Sequence, residues 1–132
     1  MKKIKLFLGA LIPIIFLTSC LEKFDIKDSE EFNKKIKTRT DIATAEQLIQ
    51  IYYNYPINQD KPTFKIETKK LDDELIKVTL IHDKQKDDSQ KATKIVMIAK
   101  LTGLKWTVYE IKTNRKCWDG HGHTDWGTEW CN

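Results

Sequence analysis

Apolar residues change their spacing several times along this chain, and each change marks a different use of the backbone. Residues 6 to 17 are almost wholly apolar and follow Lys2, Lys3 and Lys5. From Leu21 to about Lys37 the apolar positions thin out to Phe24, Ile26, Phe32 and Ile36, set among charged residues. Phe32 and Ile36 lie four apart, as do Glu30 and Lys34, and Glu31 and Lys35, the spacing of neighbours on a helix surface. A short helix is therefore expected after Asp28 or Ser29, within a charged tether spanning residues 20–42.

A stronger helix is predicted from Thr44. Thr44-Ala45-Glu46-Gln47 has capping-box spacing: the Thr hydroxyl can accept from the backbone N–H of Gln47, whose side chain can reach back. Leu48, Ile49, Ile51, Tyr52 and Tyr55 then form an apolar stripe, and Pro56 limits it, so the helix should end near Asn54.

Beyond this point the period becomes two. Phe64, Ile66 and Thr68 alternate with Lys65, Glu67 and Lys69, and the segments Leu75 to His82, Ile95 to Leu101 and Leu104 to Ile111 have strand-like composition. Their separators are Leu71-Asp72-Asp73-Glu74, the polar run Lys84 to Lys91, and Thr102-Gly103, a hairpin-like turn. An α+β domain over residues 43–132 follows, with an N-terminal helix packed on a curved four-stranded antiparallel meander. This order of elements resembles the cystatin-like and NTF2-like folds of small exported bacterial proteins, a likeness of architecture that fixes no function.

Residues 1–19 have the charged, apolar and small-residue regions of a secretory signal. About a dozen apolar residues interrupted by Pro13 make a poor permanent span, which needs ~20. Leu17-Thr18-Ser19-Cys20 resembles the lipobox of bacterial lipoproteins. That resemblance implies diacylglycerol on Cys20, cleavage just before it, and no cofactor beyond the covalent lipid. Two or three acyl chains, at ~0.8 kcal/mol per buried methylene, anchor nearly permanently where one is marginal. Lipoproteins kept at the inner membrane usually carry Asp after the cysteine; Leu21 stands there, so the resemblance favours the outer membrane, facing the periplasm.

The net charge of +4 invites a nucleic-acid reading, but the signal holds three lysines and no acid. Without it, 20 Lys and Arg face 19 Asp and Glu, and the basic footprint of a nucleic-acid binder is missing. The lysine pairs sit beside acids and read as solvated faces. With Cys20 lipidated, Cys117 and Cys131 remain as the only intramolecular pair in an oxidising compartment. Their disulfide would close a loop of ~15 residues and contribute about 3 kcal/mol in the chain-entropy model. The alternative is that both thiols are free or bind metal.

Between these cysteines lie three of the four tryptophans and two of the three histidines. Asp119, His121, His123 and Asp125 alternate, so an extended chain would project all four to one side as ligands for Zn²⁺, Cu²⁺ or Ni²⁺. The other role is structural, with glycines making turns, His123 bonding within the loop and His121 facing outward, and the tryptophans covering the disulfide. His121, His123, Asp125 and Trp126 are the candidate binding residues. Gly120-His121-Gly122-His123-Thr124-Asp125-Trp126 is similar to tails of small exported bacterial proteins that carry no known activity.

His82 could pair with Asp83, and Tyr52, Tyr53 and Tyr55 could line a groove, although strand and helix positions favour packing for them and for Trp106. Neither Gly-x-Ser-x-Gly, a phosphate loop nor His-Glu-x-x-His occurs, so a non-catalytic role is expected. Three functions fit: an envelope lipoprotein with a protein-interaction domain of accessory, inhibitor or immunity type; a metal-binding lipoprotein; and a small-molecule binder or enzyme with an NTF2-like pocket. Replacing Cys20 by Ala should abolish labelling by a palmitate analogue and leave uncleaved precursor on gels. Persistent labelling would contradict lipidation there.

Overall fold

A computed structural model describes residues 21–55 and 64–132 of the chain. Residues 1–19, expected as a signal peptide, Cys20 and the expected helix stop at Pro56 lie outside the described residues. The elements are β1 (Asp25–Lys27), α1 (Ser29–Ile36), α2 (Ala45–Tyr53), β2 (Phe64–Lys70), β3 (Ile76–His82), β4 (Gln90–Thr102) and β5 (Lys105–Cys117). All strand pairs are antiparallel, in the order β1-β5-β4-β3-β2. The sheet thus has five strands, and the expectation of a four-stranded meander is corrected: β2 to β5 form the meander, and β1 joins its far edge. Asp25 to Lys27 carry too few apolar residues to read as a strand, and their pairing with Thr113 to Ile111 supplies what the local pattern lacks.

Both helices begin where their caps place them. Asp28 accepts from the Glu30 N–H at 2.8 Å, and Glu30 and Glu31 in the first turn with Lys34 and Lys35 in the last complement the helix dipole of α1. At Thr44 the capping box is complete: its hydroxyl accepts from the Gln47 N–H at 3.2 Å, and the Gln47 side chain accepts from the Thr44 N–H at 3.3 Å. Asn54 ends α2 in the left-handed conformation, its N–H bonded to Gln50 O at 2.9 Å. Of residues 20–42, expected as a charged tether with a short helix after Asp28 or Ser29, the described part supplies that helix, with Phe32 and Ile36 buried, and an edge strand besides.

The helices cover one face of the sheet. Leu48 and Ile49 from α2 meet Val78, Leu80, Met97 and Ile111, all fully buried, so the helix–sheet layer is filled with side chains. Tyr52 meets Phe32 edge-on at 5.2 Å and joins α2 to α1. Trp106 is buried as its alternation predicts, and its indole donates to Ile42 O at 2.9 Å, tying β5 to the segment between the helices.

β4 and β5 run thirteen residues each, beyond the expected Ile95–Leu101 and Leu104–Ile111. The extra residues at 90–94 and 112–117 are mostly polar or charged, and long-range partners cover them. Thr102 pairs with Lys105, leaving Gly103 and Leu104 as the hairpin loop, with Gly103 at φ 63°. A register irregularity between Ile98 and Ala99 leaves Tyr109 unpaired, beside Val108. There Asn33 of α1 acts as an edge substitute: its amide donates to Val108 O and accepts from Val108 N–H, both at 2.8 Å. Asn33→Ala should cost about 1–3 kcal/mol by stranding both groups, whereas Lys34→Ala on the solvent side should stay within ~0.5 kcal/mol. Urea unfolding of the two variants compares them directly.

Candidate functional site at the disulfide-closed tail

The tail folds back along β5. Cys117 and Cys131 form the expected disulfide, with Cα atoms 5.5 Å apart. Arg115 and Gly127 exchange backbone hydrogen bonds at 2.8 and 2.9 Å, so Gly127 takes the edge position beyond β1. Cys117 N–H donates to His123 O, and Trp118 N–H to Ser89 O, at 2.9 and 2.8 Å. The Trp118 indole donates to Asp87 O at 2.9 Å, which holds the polar run before β4 against the tail. Close approach sets the glycines. A Cβ on Gly122, which has φ 137°, would lie 3.0 Å from Cys117 Sγ, and one on Gly127 would lie 3.1 Å from the His123 ring.

This path removes the extended geometry on which the four-ligand alignment depended. Asp119 and Asp125 are exposed, while His121 and His123 are bonded at separate places. Among the described residues no group of three or more His, Cys, Asp or Glu lies together so as to hold a metal ion. His121 is half-buried rather than outward-facing, with Nδ1 2.7 Å from Asn132 O, and Asn132 N–H donates back to His121 O at 2.8 Å.

His123 is held from both ends. Its Nε2 lies 2.9 Å from Glu129 O and its Nδ1 2.9 Å from Asp125 O. A neutral imidazole has one N–H and would turn a lone pair toward one of these carbonyls; the imidazolium donates to both. The Glu129 and Asp125 carbonyls therefore raise its pKa above the ordinary 6.5, with partial burial opposing them. His82 shifts the other way. Burial lowers its pKa, Asp83 raises it less, and its Nδ1 bonds the Tyr53 hydroxyl at 2.8 Å. Its partner is thus Tyr53 rather than Asp83, inside a cluster with Tyr55 and Phe64.

Sequence reading missed the cations beneath the tail tryptophans. Arg115, 6% exposed, places its guanidinium 3.9 Å from the centre of the Trp130 ring, donates to Thr128 O, and approaches Asp25 at 3.6 Å. Lys94 and Lys116 lie 4.2 and 4.8 Å from the Trp126 ring centre, on the sheet face away from the helices. Lys94 also pairs with Glu22 at 2.7 Å, and Asn114 donates to Glu22 and to Lys23 O at 3.3 and 3.1 Å. Burial pushes the Glu22 carboxyl upward, but these bonds outweigh it and hold the group below its usual range. Lys94, Arg115 and Lys116 lie in the strand ends beyond the expected Ile95–Leu101 and Leu104–Ile111, and their aromatic partners are remote in sequence.

A raised pKa makes the His123 contribution complete below about pH 6.5 and lost as pH rises through the folded value. The lowered pKa of His82 gives the opposite slope, with stability lost as pH falls through its folded value. His123→Ala should cost about 1–2 kcal/mol near pH 6, and the gap from the parent should narrow by pH 8.5. Comparing the two melts at each pH cancels the His82 term; parallel stability curves would contradict the imidazolium assignment.

No protein-family model, no curated protein and no solved structure matches this chain.

Proposed function

We propose that this chain is a bacterial lipoprotein, anchored through Cys20 and facing the periplasm from the outer membrane, whose domain is a non-catalytic protein-interaction module. One observation carries the interaction role. At the β4–β5 hairpin, Leu104 is 67% exposed, Tyr109 57% and Leu101 39%, a group of large apolar side chains uncovered at one end of the sheet. Beside it lies a groove of about 360 Å³ lined by Asn33, Lys34, Lys37, Lys105, Trp106 and Thr107. Three lysines and no acid among these six residues suit a partner whose apolar contact is flanked by carboxylates.

The arrangement of ends supports the same role. Thirteen-residue strands at ~3.3 Å per residue put the hairpin about 40 Å from the tail, and the N-terminal segment is fastened beside the tail. An anchor at one end leaves the hairpin facing away from the membrane. The residue types considered for chemistry have structural bonds: Cys117 to Cys131, His82 to Tyr53, His123 to two carbonyls.

A photo-crosslinking residue at position 104 of the full chain, in native envelopes, should yield a discrete adduct. The same residue at position 67 on β2 should not, and Lys105→Glu in the crosslinking chain should reduce the adduct about tenfold. Equal yields at both positions would overturn the assignment of the hairpin as the contact.

A further inference from the structure

The chain between the proposed lipid and the folded domain is very short. One residue, Leu21, separates Cys20 from Glu22, and Glu22 already bonds Lys94 at 2.7 Å and Asn114 at 3.3 Å. The next carbonyl, that of Lys23, accepts from the same Asn114 amide at 3.1 Å. Asn114 is 1% exposed, and both hydrogen bonds of its amide N–H group run to this segment, while its Oδ1 has no partner among the described residues. Two backbone steps span at most about 7 Å, whereas the headgroup layer on each side of a bilayer is roughly 5–7 Å deep. A residue fixed to the domain that near the lipidated cysteine lies at headgroup depth.

Two large apolar side chains are exposed at this end of the domain. Leu21 is 87% exposed and Trp130 76% exposed, with the indole of Trp130 resting on the Arg115 guanidinium. Between the N-terminal segment and the tail runs a groove of about 440 Å³ lined by residues including Leu21, Lys23, Trp126 and Glu129. Tryptophan favours the membrane–water boundary, where its ring is accommodated at headgroup level. Lys23 among these residues is offset by Glu22, Asp125 and Glu129, so the face carries no basic excess to demand anionic lipid.

Resting on the lipoprotein assignment, we propose that the domain lies directly against the headgroup layer of the leaflet holding its anchor, with Leu21 and Trp130 as apolar contacts, and that zwitterionic lipid suffices. No flexible spacer then lifts it from the membrane. Its hairpin is held at a fixed height of about 40 Å, the length of a thirteen-residue strand pair when it stands upright.

The test uses the full chain, processed in a bacterial host fed a palmitate analogue, and reconstituted into phosphatidylcholine vesicles carrying lipids brominated near the glycerol. Labelled protein should lose at least a third of its tryptophan fluorescence to the brominated lipid, and most of that loss should vanish when Trp126 and Trp130 are both replaced by Phe. Adding Leu104→Trp to that variant should not restore the loss, since the hairpin points away. Labelled protein without quenching, or quenching restored by Leu104→Trp, would overturn the docking while leaving the lipoprotein assignment standing. Absence of label at Cys20 would remove both.

Discussion

A guanidinium withdrawn from water must be matched by charge and hydrogen bonds or it destabilises the fold by several kcal/mol. Arg115 meets that constraint with groups from both ends of the chain: Asp25 on the first strand, and Thr128 O and the Trp130 ring in the tail. Removing any of these partners leaves the charge less compensated, so the edge strand, the tail and β5 are coupled through one side chain. The disulfide limits how far the tail can depart, while Arg115 determines where it rests.

Around this junction the molecule divides its work between two faces. One face of the sheet is dry, filled by Leu48, Ile49, Leu80, Met97 and Ile111 beneath the helices. The other carries Lys94, Lys112 and Lys116, whose long stems and charged heads lie against Phe24 and Trp126. The lysine pairs Lys34-Lys35 and Lys69-Lys70 are exposed, as their acidic neighbours suggest, whereas these three lysines cover aromatic rings. The two histidines with shifted titration, His82 in the aromatic cluster and His123 in the tail, respond to acid in opposite directions. Their environments explain the difference: one is deprived of water, the other is offered two acceptors.

What could be read from the chain beforehand depended on how far apart the interacting residues lie. The capping box at Thr44, the pairing of Phe32 with Ile36, and the turn at Gly103 are local, and each appears where its residues place it. The four meander strands were legible from alternation over their apolar stretches only. β1 was not, because three residues gain strand character from Lys112 and its neighbours, some eighty-five positions later. For the tail the sequence left two readings open, a row of metal ligands and a self-bonded loop. Alternation of Asp119, His121, His123 and Asp125 suggested a common side, but that inference holds only for extended backbone, and turns at Gly120 and Gly122 break it. The disulfide followed from counting cysteines, whereas the Arg115 and Trp130 stack had no local signal at all.

Because β1 pairs with β5, the first strand to leave the ribosome has no partner until the last is made. α1 faces the same wait, since its Asn33 amide binds Val108 and its apolar residues pack on the same late strand. Contacts of such long sequence separation form slowly, because loop closure must be achieved before any bond rewards it. β2, β3 and β4 pair with their neighbours in sequence and can form first, so the edge strand and helix that are synthesised earliest dock last.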